Sequence, residues 1–154
     1  MIVYRLSKAA FANDLSGKGA EISGGRWNSK GVPMIYTSES RALCTAEIAV
    51  HTSLGNLPAD YFLITIEIPN KVEIQILEIE SLPSDWKSFP HSYSTQKSGD
   101  TFAADKKALI LKVPSAVVQG EFNYLINPLH KDIRLIKITN TEEFNFDKRL
   151  FLKS

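Results

Sequence analysis

The sequence predicts a mixed α+β domain, on three observations. Two-residue apolar alternation recurs along the chain, one amphipathic helix stands out early, and strands and helices do not follow one another in regular alternation. A doubly wound nucleotide fold is thereby disfavoured, and no G-x-G-x-x-G run follows a strand. At 154 residues the chain is long enough for one substantial core and too short for two, so residues 1–154 are read as one domain. A composition of 44% hydrophobic and 23% charged residues is globular and excludes disorder, a collagen-like repeat or a coiled coil.

Residues Ile2 to Leu6 read as the first strand. The next twenty are rich in Gly, Ser, Asn and Asp, with Gly17, Gly19, Gly24 and Gly25 as flexible points, and predict a long functional loop. Met34 to Thr37 is a short strand, and Ser38 to Ser40 offers caps for a helix running to about Ser53, with Leu43, Ala46, Glu47 and Val50 on one face. Phe62, Ile64, Ile66 and Ile68 alternate cleanly within Tyr61 to Ile68, and Val72 to Ile79 repeats the pattern beyond Pro69 and Asn70, which predicts a hairpin. Pro83 to Gly99 reads as a polar loop able to cover a site, Phe102 to Ala108 as a brief helix, and Leu109 to Val113 and Ile133 to Ile138 as strands. Phe144, Phe146 and Leu150 are expected to dock a C-terminal segment on the core.

Charge and cysteine content narrow the partners and the compartment. Eighteen basic against seventeen acidic residues give a net charge of +1, far from the excess that neutralises many phosphates, so no direct nucleic-acid contact is expected and a DNA-binding helix-turn-helix is disfavoured. Cys44 is the only cysteine, which rules out an intrachain disulfide and points to a reducing cytoplasm. No signal sequence and no membrane-crossing apolar run is read. His51, His91 and His130 lack zinc-site spacing and no Gly-rich run ends in Lys-Ser or Lys-Thr, so neither a metal nor a P-loop is expected.

Four side chains are candidates for chemistry, each with a plainer alternative. Glu47 puts a carboxylate on an apolar helix stripe, where it must be paired or face a cleft; otherwise it sits at the stripe's edge and bonds Arg41 or His51. Arg26 follows Gly24 and Gly25, where bare backbone lets a ligand approach and a guanidinium grips a phosphate or carboxylate at two points; otherwise it stacks on Trp27. Alternation turns Tyr36 away from Ile35 and toward a cleft, or else into the core rim. Ser115 follows Val113-Pro114 without a G-x-S-x-G elbow, so it reads as a turn-bonding hydroxyl before a nucleophile.

Taken in order, several short segments resemble the RES domain family, named for its arginine, glutamate and serine. They are Tyr4-Arg5-Leu6, Gly19-Ala20, Gly24-Gly25-Arg26-Trp27-Asn28, Ile35-Tyr36-Thr37-Ser38 and Ala46-Glu47, then Thr95-Gln96, Gly99-Asp100, Val113-Pro114-Ser115, and Asn123 to Pro128 followed by His130. Phe102 stands where a tryptophan is expected, and Lys30 where the turn often has proline. The resemblance spans nearly the whole chain. It implies a fold similar to ADP-ribosyltransferase toxins, with NAD in a central cleft as substrate and no metal or other cofactor.

It further implies a toxin that cleaves the nicotinamide–ribose bond, depleting NAD and arresting growth, or one that passes ADP-ribose to a protein or to phosphate. A module that binds a nucleotide or a partner without turnover is the non-enzymatic alternative. Arg26, Tyr36, Glu47 and Ser115 would form the catalytic group, and Arg5, Gly25 and Asn28 would help hold NAD. The implied partner is an antitoxin with a helix-turn-helix domain, a C-terminal portion of which blocks the cleft, in a complex often built on a toxin homodimer.

Overall fold

The structure is a computed structural model and describes residues 1–152. Its strands are β1 (Ile2–Lys8), β2 (Ile35–Ser38), β3 (Tyr61–Glu67), β4 (Ile74–Ile76), β5 (Ile110–Pro114), β6 (Phe122–Ile126) and β7 (Lys137–Phe144). Its α-helices are α1 (Lys18–Ser23), α2 (Arg41–His51) and α3 (Tyr93–Asp105). The strands form one seven-stranded sheet in the order β4, β5, β6, β2, β1, β3, β7, antiparallel except where β4 runs parallel to β5. This is the mixed α+β architecture expected from the sequence.

Both faces of the sheet are covered, and alternation along the strands divides the core in two. Val3, Ile35, Ile64, Ile66, Ile110, Tyr124 and Ile126 enter one cluster, whereas Met34, Leu111, Val113 and Leu125 enter the other with Trp27, Trp86 and Phe102. Residues adjacent in sequence, such as Ile110 and Leu111, therefore serve opposite layers. Among the described residues no helix is long and apolar enough to cross a membrane.

Several expected elements take a different form. The segments read as a hairpin are not neighbours: β3 lies between β1 and β7, while β4 sits at the far edge beside β5. Period-two patterning fixes which face a strand buries and not which strand it joins. The expected loop from Pro83 to Gly99 becomes helical at Tyr93, where the Ser92 hydroxyl accepts from the Thr95 N–H, and α3 ends at Asp105 without reaching Ala108. Its buried face is Thr95, Gly99, Phe102 and Ala103, mostly small or polar residues that apolar periodicity overlooks.

A second unexpected helix, α1, occupies part of the glycine-containing loop, and β6 was not expected as a strand. Ile133–Leu135 is a 3-10 turn, so β7 begins only at Lys137 and carries polar residues suited to an edge. At the C-terminus Phe146 and Phe151 dock with their rings edge to face at 5.3 Å, while Leu150, expected to dock, is 53% exposed.

Candidate active site

The sheet is joined unevenly. β1 is paired with β3 over its full length and β2 with β6 over its own, yet β1 and β2 meet at the single pair Tyr4–Ser38. Beside this seam opens a cavity of about 800 Å³, within the ~300–1,000 Å³ span of small-molecule sites. Arg5 and Leu6 of β1, Tyr36 and Ser38 of β2, and Glu47 and Ile48 of α2 line it, together with Gly25, Arg26, Phe89 and His91 from the loops.

Glu47 is presented by α2, whose N-terminus is fixed by Ser40 accepting from the Leu43 N–H at 3.0 Å, as the sequence predicted. The buried stripe of this helix is Leu43 and Cys44, with Glu47 half-buried one turn on and Val50 exposed. The carboxylate bonds neither Arg41 nor His51. Its Oε1 accepts from Asn123 Nδ2 at 2.8 Å and from Ser115 Oγ at 3.0 Å. Ser38 Oγ in turn donates to Asn123 Oδ1 at 2.7 Å, which fixes the amide so that its NH₂ faces Glu47. Among the described residues no hydrogen bond uses Oε2, so the carboxylate is held by one oxygen at the wall of the cavity.

Ser115 is buried and does not line the cavity. Its hydroxyl accepts from the N–H groups of Val117 and Val118 and donates to Glu47, so it is both a turn-former and a positioning residue. Ser115→Ala is expected to cost ~1–2 kcal/mol of stability, because two amides lose their acceptor. Denaturant titration checks the stability, and we expect a smaller loss of turnover than follows any change at Glu47.

The Gly24–Asn28 turn is held from two sides. From α3, Gln96 Nε2 donates to the carbonyl of Gly25 at 3.0 Å, and Asp100 accepts from Ser29 N–H at 2.9 Å and Ser29 Oγ at 2.6 Å. From β2, the Tyr36 hydroxyl donates to Asn28 Oδ1 at 2.6 Å and accepts from the Trp27 N–H at 3.1 Å. Burial raises the Tyr36 phenol well above its ordinary range, and the Trp27 N–H only partly opposes that. Gly25 is required here because a Cβ would stand 2.7 Å from the Tyr36 oxygen.

Asn28, expected to touch a ligand, is fully buried and outside the cavity lining, with its Nδ2 on the carbonyls of Ala20 and Val32. It holds Tyr36 in place. Tyr36→Phe keeps the ring and leaves Trp27 N–H and Asn28 Oδ1 unpaired; it should lower stability by ~1–3 kcal/mol while folded protein retains turnover within about tenfold. Unchanged stability in thermal denaturation would show that the hydroxyl bonds carry no weight.

Arg26 does not use its whole guanidinium on the cavity. Its Nη1 donates to the carbonyls of Trp86 at 2.7 Å and Ser88 at 2.9 Å, tying down the loop before α3 in place of stacking on Trp27. Burial lowers its pKa, and the nearby charge of Glu47 works in the opposite sense. Arg5 also lines the cavity; it donates to the Asp14 carbonyl, and burial again lowers its pKa against the pull of Asp14. Both remain cations, because guanidinium is protonated across the physiological range.

Asn123, Phe89 and His91 were not singled out as site residues, although all line the cavity. Asn123 had one available signal, as the polar residue that alternation puts on the same strand face as Leu125 in Asn123-Tyr124-Leu125-Ile126; a polar residue on a strand that packs into the core must find a partner. Burial lowers the pKa of His91, and the nearby guanidinium of Arg26 acts in the same direction. Cys44 also lines the cavity, and burial pushes its thiol up to about 11, so it stays protonated at neutral pH. Among the described residues no group of three or more His, Cys, Asp or Glu is placed to hold a metal ion.

The chain belongs to the RES domain family, whose model matches residues 2–147. It is 38% identical over 145 residues to a Sphingobium protein named as a Prs ADP-ribosylating toxin, an alignment covering 93% of this chain and 90% of that one. It is 37% identical over 152 residues to a protein of Photorhabdus laumondii named Toxin Res, covering 97% of each. In fold it is similar to a chain in the crystal structure of the M. tuberculosis MbcT-MbcA toxin-antitoxin complex, with a TM-score of 0.71, 21% identity, and coverage of 97% of this chain and 86% of that one.

Proposed function

We propose that the chain is the toxin of a toxin-antitoxin pair and an enzyme that cleaves NAD between nicotinamide and ribose, depleting the dinucleotide and arresting growth. NAD is its substrate, with no metal and no further cofactor. The observation that carries this reading is the Glu47 carboxylate, braced through Oε1 by Asn123 and Ser115 at the wall of a cavity that Tyr36 and Arg26 also line. As the bond from ribose C1′ to the nicotinamide nitrogen breaks, the ring leaves with the electron pair and positive charge builds on the sugar. A fixed carboxylate beside it stabilises that state, much as in glycoside hydrolysis.

In this reading Tyr36 stacks on the leaving ring, and the Arg26 N–H groups beyond Nη1, with Arg5, hold the pyrophosphate. Water then adds to C1′ and gives up a proton. Incubating purified protein with NAD and following nicotinamide by chromatography tests the reading; release by the native chain supports it, and no release from folded protein, with or without cell extract, sinks it.

A second reading has ADP-ribose passed to a protein in place of water, and the name of the Sphingobium relative favours it. Mass spectrometry of treated extract separates the two, because only transfer leaves an added ADP-ribose on a polypeptide. For the partner we propose a helix-turn-helix antitoxin whose segment fills the cavity, in an assembly built on a toxin homodimer. The toxin-antitoxin complex with the similar fold supports a protein partner. Transfer to phosphate would appear in the same chromatography as phosphorylated ADP-ribose.

A further inference from the structure

The loop between Trp86 and Ser92 carries an arrangement that the proposed chemistry at Glu47 does not use. Phe89 lines the cavity and yet is 76% exposed, so a large ring is left in water at the mouth of a site. Its neighbour His91 lines the same cavity, with the two rings edge to face, centroids 5.5 Å apart at 83°.

Neither ring hangs on a loose segment. Arg26 anchors the carbonyls of Trp86 and Ser88 just before Phe89, and Ser92 begins α3 just after His91. The His91 Nδ1 is buried without a hydrogen-bond partner among the described residues, an unmet polar atom beside the cavity. A ring held rigidly with a face still in water loses little freedom when something flat packs on it, and such a contact buries apolar area that folding left exposed.

We propose that Phe89 and His91 form a base-holding wall of the cleft, Phe89 stacking on a planar heteroaromatic base of the dinucleotide and His91 bracing that ring and hydrogen-bonding the base's edge. The inference rests on NAD being the substrate. The base is adenine or nicotinamide, which share a flat, nitrogen-containing ring bearing an amide or amine.

The experiment is calorimetric titration of the full chain carrying Glu47→Gln, which slows turnover, with NAD, ADP-ribose and nicotinamide mononucleotide, before and after Phe89→Ala or Phe89→Tyr. Phe89 is largely exposed, so neither change disturbs the core. Phe89→Ala is expected to weaken NAD binding about tenfold or more, and Phe89→Tyr to stay within about threefold, as base–aromatic stacking predicts. A matching loss for ADP-ribose alone identifies adenine, and one for nicotinamide mononucleotide alone identifies nicotinamide.

Equal NAD affinity with and without the Phe89 ring overturns the wall and leaves the NAD reading intact. Absence of NAD binding when Phe89 is present, joined to absence of nicotinamide release by the native chain, overturns both.

Discussion

Glu47→Gln lowers NAD turnover by about a hundredfold to a thousandfold in the expected result, with the thermal midpoint almost unchanged. The substitution is close to isosteric, and a glutamine Oε1 still accepts from Asn123 Nδ2 and Ser115 Oγ, which select the orientation of the new amide. What disappears is one negative charge facing the cavity. A rise of about 3 to 4 kcal/mol in the barrier corresponds to that fold-change. The measurement is kcat from nicotinamide release, beside a melting curve. A variant that turns NAD over within tenfold of the native chain, while melting normally, would falsify the role assigned to Glu47.

Gly99→Ala should produce the largest loss of stability, about 3 kcal/mol or more, seen as a fall of roughly 10 °C in Tm. The Cβ would lie 1.6 Å from the Trp27 carbonyl oxygen and 2.6 Å from its carbon, positions no packed atom tolerates. Relief requires α3 to move off the turn, and that turn is bound to α3 through Gln96 and Asp100 on either side of Gly99. Gly19→Ala is the control, because nothing lies within 4 Å of its Cβ and alanine favours the helix it occupies. Equal melting points for the two variants would mean that α3 does not approach Trp27 so closely.

The sequence made the regular parts of this fold legible and the long-range ones opaque. β1, β2 and β3 stand where alternation puts them, and α2 begins at its predicted serine cap, because these signals are local. The position of β4 beside β5 was hidden, since its neighbour is chosen by packing more than thirty residues away. α3 was obscured because its contact face is Thr95, Gly99, Phe102 and Ala103, shaped for close approach to Trp27 and not for apolar burial.

At the site, Arg26, Tyr36 and Glu47 do meet on one cavity, and Ser115 reaches it only through Glu47. The family resemblance implied Asn28 as a ligand contact, but a buried amide satisfied on both ends is a brace. Gln96 and Asp100 carried family resemblance with no role attached; their work is to hold the turn that bears Arg26. His91 lies in a loop without periodicity, where sequence gives no indication of which way a ring faces.

The seam between β1 and β2 gives the molecule an uneven stiffness. Separating β1 from β3, or β2 from β6, breaks a complete ladder, whereas spreading β1 from β2 disturbs one residue pair. Resistance along that line comes instead from α2, which packs on both strands and carries Glu47. The helix works as a rivet across a slit: α2 bridges the two strands that one residue pair joins, and the carboxylate rides on that bridge.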